Sequence, residues 1–179
     1  ITHGKGNGIY ASNQADVTLS GTRLEEHVLP QIWIQNAHMQ ARNIRICNGR
    51  ESGVMLRDHA TADICDAEFM HHKLAHVQVT LHSHAHIMTS QLTYSEGNAL
   101  QVKEQSTANV VESKVAYSQL AQCHISEKSV FNSNDSFFTN GEQVGIYAER
   151  ASVAQLMRST VSNHASSALS AVESSLRLD

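Results

Sequence analysis

Nothing in this sequence marks a membrane span, a nucleic acid or a zinc ribbon. No apolar run approaches the roughly 18 residues that a membrane helix needs. No Lys/Arg run stands out, and 13 Lys and Arg stand against 17 Asp and Glu, for a formal net charge of −4. Phosphate contacts leave a basic footprint, so no nucleic-acid partner is expected. The three cysteines, Cys47, Cys65 and Cys123, are widely spaced and form no CxxC pair. That argues against a zinc ribbon and a disulfide scaffold, and unpaired thiols favour a reducing, cytoplasmic compartment. Charged residues make up only 17% of the chain, but hydrophobic residues reach 41% of 179 residues. That composition folds, and the length allows one domain with a real core.

What is present is a repeat. The phrase "GIYA" at residues 8 to 11 returns as "QIWI", "GVML", "HVQV", "ALQV", "QCHI", "GIYA" and "ALSA". Its first apolar residues are Ile9, Ile32, Val54, Val77, Leu100, Cys123, Ile146 and Leu169, with steps of 23, 22, 23, 23, 23, 23 and 23. A period held that tightly identifies a repeat architecture. Inside one repeat, residues 52–74, the apolar spacing is two: Val54 and Leu56 alternate with Met55 and Arg57, Ala62 and Ile64 with Asp63 and Cys65. Period two means strands. No hairpin signal separates the three strands of that repeat, so each must pair in parallel with its equivalent one repeat later. The helical alternative lacks a 3.6-residue pattern, and a leucine-rich repeat lacks its Leu/Asn signature. The fold expected is all-β: a right-handed parallel β-helix solenoid of about eight coils, three short strands each, rising about 4.8 Å per coil.

Inward ladders follow from the same period. Ile46, Phe69, Leu92, Val115, Phe138 and Val161 share one position, and Ile64, Ile87, Val110 and Leu156 another. Ala67, Ser90, Ser113, Ser136 and Ser159 form a small-residue ladder suited to a narrow corner. Asn48, Asn140 and Asn163 recur at a turn where other coils carry His71, Tyr94 and Tyr117. Asn tolerates the left-handed backbone such a turn needs. The chain opens on Ile1 with no initiator Met or signal-peptide pattern, and its last coil stops at "SSLRLD". A single domain, 1–179, cut from a longer multidomain protein is therefore expected.

The coils, most clearly "GNGIYASNQADVTLSG" at 6–21, resemble the right-handed parallel β-helix superfamily, the pectin-lyase-like fold. That resemblance implies a fold, not an activity, because the superfamily spans pectate lyases, polygalacturonases, alginate epimerases and lyases, phage tailspikes and non-catalytic adaptors. None of their catalytic sets carries over. The acids Asp58, Asp63, Asp66, Glu68 and Glu104 are scattered, with Arg57 expected beside Asp58 and Asp63. The stack Asp58, Leu81, Glu104, Glu127 is interrupted at Leu81. An Asp-Pro-His motif is excluded, since the one proline is Pro30.

Function must then lie on outward side chains. One outward row reads Tyr10, Trp33, Met55, Gln78, Gln101, His124, Tyr147, Ser170. The next reads Ser12, Gln35, Arg57, Thr80, Lys103, Ser126, Glu149, Val172. Tyr10, Trp33 and Met55 form an aromatic and apolar strip suited to a sugar ring or a protein partner, with Arg57 and Lys103 beside it. Lys103 is placed to pair with Glu127. Twelve histidines make the charge sensitive near pH ~6, and "HHKLAHVQVTLHSHAH" concentrates six of them. His82, His84 and His86 read as polar positions around one turn, with His59 stacked on His82 and Asp63 on His86, a set that could hold a divalent metal. No other cofactor is implied. The function expected is a non-catalytic binding or scaffold module presenting a rigid face to a protein or glycan partner. The alternative is a carbohydrate-active enzyme on an acidic polysaccharide.

Overall fold

The computed structural model describes all 179 residues. It contains no helix, and its strands form three parallel sheets of eight, eight and seven strands. Each coil but the last, which lacks the third strand, contributes one strand to each sheet, as in Val54–Arg57, Thr61–Cys65 and Glu68–Met70. The register is the repeat itself. Ile9 pairs with Ile32, Ile32 with Val54, Val54 with Val77, Val77 with Leu100, and Leu100 with Cys123. The strands within one coil cannot pair with each other because each turns onto a different sheet.

The core runs along the rod axis. Ile46, Phe69, Leu92, Val115 and Phe138 form the inward ladder of the third sheet, fully shielded from solvent. Ile64, Ile87, Val110 and Leu156 line the second, with Ser133 taking the intervening position.

Each corner needs a sharp bend, and the left-handed backbone supplies it. Between the second and third sheets one residue per coil has positive φ, among them Asn43, Asp66, Thr89, Glu112, Asp135 and Arg158. After the first sheet two consecutive residues do in most coils, as at Asp58 and His59 or Glu104 and Gln105, and Asn36 and Glu173 do singly. At the third corner Asn48, His71, Tyr94, Tyr117, Asn140 and Asn163 all lie at φ 56–60°. Such backbone costs a non-glycine residue about 1–2 kcal/mol. Ring stacking offsets part of it: the His71 and Tyr94 ring centres lie 5.3 Å apart, and those of Tyr94 and Tyr117 4.7 Å apart, with the ring planes nearly parallel.

Two serine ladders satisfy the corner amides. The N–H groups of Ala60, Ser83, Ser106 and Ser129 donate to the hydroxyl oxygens of Ser83, Ser106, Ser129 and Ser152 at 3.1–3.3 Å. Those of Ala67, Ser90, Ser113 and Ser136 donate to Ser90, Ser113, Ser136 and Ser159. The small-residue ladder read from the sequence is thus also a hydrogen-bonding one.

The histidine run divides in a way the sequence does not announce. His71 is exposed, but His72 and His76 are fully buried. His72 Nδ1 lies 2.6 Å from His76 Nδ1, and His72 Nε2 lies 3.2 Å from Gln31 Nε2. Gln31 Oε1 in turn lies 3.3 Å from His27 Nδ1. Glycines make room for these rings. A Cβ at Gly49 would stand 2.7 Å from the His72 ring, and one at Gly53 3.0 Å from it.

Candidate functional site

The structure sets both outward rows on the first sheet. Pairing brings Tyr10 beside Trp33, Trp33 beside Met55, Gln78 beside Gln101, and His124 beside Tyr147. Each coil therefore offers one side chain per row, about 4.8 Å from the next. The second row departs from expectation at Thr80 and Ser126, which are buried at 5% and 4% exposure. The Thr80 hydroxyl donates to the Leu56 carbonyl oxygen at 3.3 Å, which draws that side chain into the corner.

At one end of the face, the Tyr10 and Trp33 rings meet at 6.4 Å and 50°. Tyr10 is more than half exposed, whereas Trp33 is partly covered and its indole N–H has no acceptor. Gln35 Nε2 donates to Asp58 Oδ2 at 2.6 Å, and Arg57 Nε lies 3.7 Å from the same oxygen. Arg57 does not share Asp63, because Asp63 stands on the second sheet.

At the other end the chemistry is denser. The His124 and Tyr147 rings stack at 5.3 Å. His124 Nε2 lies 3.2 Å from Glu149 Oε1, and the Tyr147 hydroxyl donates to Glu149 Oε2 at 3.0 Å. Burial pushes the Glu149 carboxyl up, but the hydrogen bonds from Tyr147 and His124 outweigh it and hold the group below its ordinary range. The same bond raises the Tyr147 phenol. Arg150 reaches Glu127 at 3.2 Å and Glu149 at 3.9 Å. Glu127 is thus the partner of Arg150 rather than of Lys103, which has no carboxylate within 4.0 Å.

The proposed metal ligands separate. The His59 and His82 rings stack at 5.2 Å in the two-residue corner. His84 and His86 lie beyond it, on the strand His84–Met88, so the three do not circle one turn. His86 Nδ1 is 3.9 Å from Asp63, and His84 Nε2 is 3.3 Å from Asn109. No three His, Cys, Asp or Glu side chains converge as a coordination set.

The His124–Glu149–Tyr147 group is what sequence reasoning left unassembled, although all three residues stand in its rows. Its signal is a separation of 25 residues between His124 and Glu149, one 23-residue coil plus one strand alternation. The buried histidines gave a different signal: His72 and His76 each fall 23 residues after a glycine, Gly49 and Gly53.

No protein-family model matches the chain, and no curated protein matches it in sequence. Solved structures match it in shape. A variant of the periplasmic alginate epimerase AlgG superposes with a TM-score of 0.85 at 12% identity, over 97% of this chain and 48% of the epimerase. Pectate lyase Pel9A gives 0.61 at 8% identity, over 89% of this chain and 48% of the lyase. The enzymatically active domain of bacteriophage CBA120 tailspike protein 2 gives 0.55 at 10%, over 98% and 35%. The chain spans less than half the length of each. The likeness is one of fold, and that fold is the parallel β-helix of the pectin-lyase-like kind.

Proposed function

We propose that the outward face of the first sheet binds an acidic polysaccharide laid along the rod. The observation that carries this reading is the pair of parallel rows on that face. One presents rings and amides, Tyr10, Trp33, Gln78, Gln101, His124 and Tyr147, at one per coil. The other sets Arg57 and the carboxylate-free Lys103 beside them. Apolar sugar faces pack on the first row, and uronate groups meet the second. The shape of AlgG and Pel9A, proteins named for alginate epimerase and pectate lyase activity, supports a polysaccharide over a protein partner.

The test is binding of pectate and alginate oligomers by calorimetry. Trp33→Ala and Lys103→Glu are each expected to weaken binding about tenfold, or ~1.4 kcal/mol. Salt should weaken the wild-type complex as well. Equal affinity in both variants and the wild type would remove the face from consideration.

The His124–Glu149–Tyr147 group favours a second reading, proton transfer on that same polymer. A carboxylate that orients an imidazole, with a phenol beside it, is the arrangement a general base and acid require. Incubation with uronate polymers, followed by ultraviolet absorbance for an unsaturated product and by NMR for C5 inversion, separates enzyme from binding module. Turnover abolished in His124→Ala would establish the enzyme, and silence in the wild type on a polymer it binds would leave the module.

A further inference from the structure

The second sheet carries a trench that the first-sheet reading does not use. Its central outward row is Thr18, Gln40, Asp63, His86, Asn109, Asn132 and Gln155, in register from coil to coil. The neighbouring edge row includes Cys65, Met88, Val111 and Met157. Between the two rows lie two cavities set end to end. One, of about 620 Å³, runs past Gln40, Asp63, Cys65 and Met88. The other, of about 260 Å³, runs past His86, Asn109, Val111, Asn132, Gln155 and Met157. One wall is therefore polar, amides together with Asp63 and His86, and the other sets the thioether and aliphatic carbon of Met88, Val111 and Met157 among Arg42, Cys65 and Asn134.

The amide wall is unfinished. Asn132 Nδ2 donates to Asn109 Oδ1 at 2.8 Å, and Asn109 Nδ2 lies 3.3 Å from His84 Nε2. The ladder stops there, because Asn132 Oδ1 has no donor although it is shielded from bulk water. An acceptor left in that state has given up water without gaining a donor, so a ligand that supplies one is favoured. A hydroxyl reaching between Asn132 and Gln155 would supply the missing donor after a small turn of the amide.

From these features we propose that the trench is a second binding site, and that it takes a neutral, extended pyranose chain. Such a chain offers a hydroxyl edge to the amides and a C–H face to Val111 and Met157. Its sugar repeat is close to the coil rise of about 4.8 Å, so each coil faces about one sugar, and alternate sugars of a β-1,4 chain present the same edge. Apart from His86, the 260 Å³ section carries no ionisable side chain, which selects against a polyuronate. A peptide strand fits less well. The floor is the face of a sheet whose N–H and C=O groups are bonded between coils, as in Thr107 N–H to the Ser83 carbonyl oxygen at 3.0 Å. No free edge is offered for strand addition.

The experiment is an NMR titration of the whole chain with cellohexaose at millimolar concentration, with calorimetry on variants. Amide shifts are expected in 107–111, 130–134 and 153–157. Asn132→Ala and Met157→Ala should each weaken binding several-fold, while Trp33→Ala leaves it unchanged. Met157 is 44% exposed, so its truncation tests the wall without burdening the core. Failure of the first-sheet reading would appear as lost uronate binding specificity and would leave these shifts intact. Shifts confined to the first sheet, no shift at all, or binding of an extended amide-rich peptide in place of the glycan would each overturn the proposal.

Discussion

The most constrained residues in the rod are His72 and His76. Each imidazole offers Nδ1 to the other at 2.6 Å, so one must donate while the other accepts, and at least one stays neutral. Burial holds His72 down to about 3 from 6.5, and holds His76 well below 6.5. The unfolded chain therefore takes up protons first as the pH falls. Stability from these two groups is complete above pH ~6.5 and declines as the pH falls below it, for His72 down to about 3. Urea midpoints should fall steeply from pH 7 to pH 5 in the wild type. In His76→Gln the fall should be shallower, whatever the variant's stability at neutral pH. Parallel curves for the two proteins would show that the pair does not govern acid sensitivity.

At the scale of the strand and corner, two small side chains do most of the positioning. The Ser106 oxygen accepts the buried Ser83 N–H at 3.1 Å. Ser106→Ala leaves that donor unpaired, at an expected cost of about 1–3 kcal/mol. Gly53 is placed by crowding, since a Cβ there would stand 2.7 Å from the His76 carbonyl oxygen, a backbone atom that cannot swing aside. Gly53→Ala is expected to lower the urea midpoint more than Gly6→Ala, where a Cβ meets nothing within 4 Å. Equal midpoints for the two would remove the packing argument. These elements also show what a sequence discloses. The inward ladder from Ile46 to Phe138 was legible because apolar residues recur at one phase of the period. His27, Gln31, His72 and His76 face inward at another phase, yet polar residue types read as surface. The room left by Gly4 and Gly8 for His27, and by Gly49 and Gly53 for His72, reveals their direction. The His124–Glu149–Tyr147 group stayed hidden for another reason: it joins two coils at two different phases, so no single row displays it.

On the scale of the whole molecule, every coil touches only the coils beside it, and stability is close to a sum of coil and interface terms. Those terms are unequal along the rod. Val54, Val77, Leu100, Cys123 and Ile146 are wholly buried, but Ile9 and Leu169, at the same ladder position in the outer coils, are only partly covered. The second sheet repeats the gradient: Ile64 and Ile87 are fully buried, while Leu19 is only partly covered. Nearest-neighbour packing of this kind lets the outer coils open before the middle ones. Hydrogen exchange should then protect the amides of 77–133 most strongly, with protection falling toward both outer coils. The functional consequence is spatial. Tyr10 lies in the outer coil expected to open readily, Trp33 in the well-buried coil beside it, and Asn109 and Asn132 in the protected middle. Ligand bound along the first sheet would slow exchange most in its outer coil, and ligand in the second-sheet trench would leave that coil unchanged. Uniform protection from end to end would mean that the rod opens as one cooperative body, and exchange could not then distinguish the two faces.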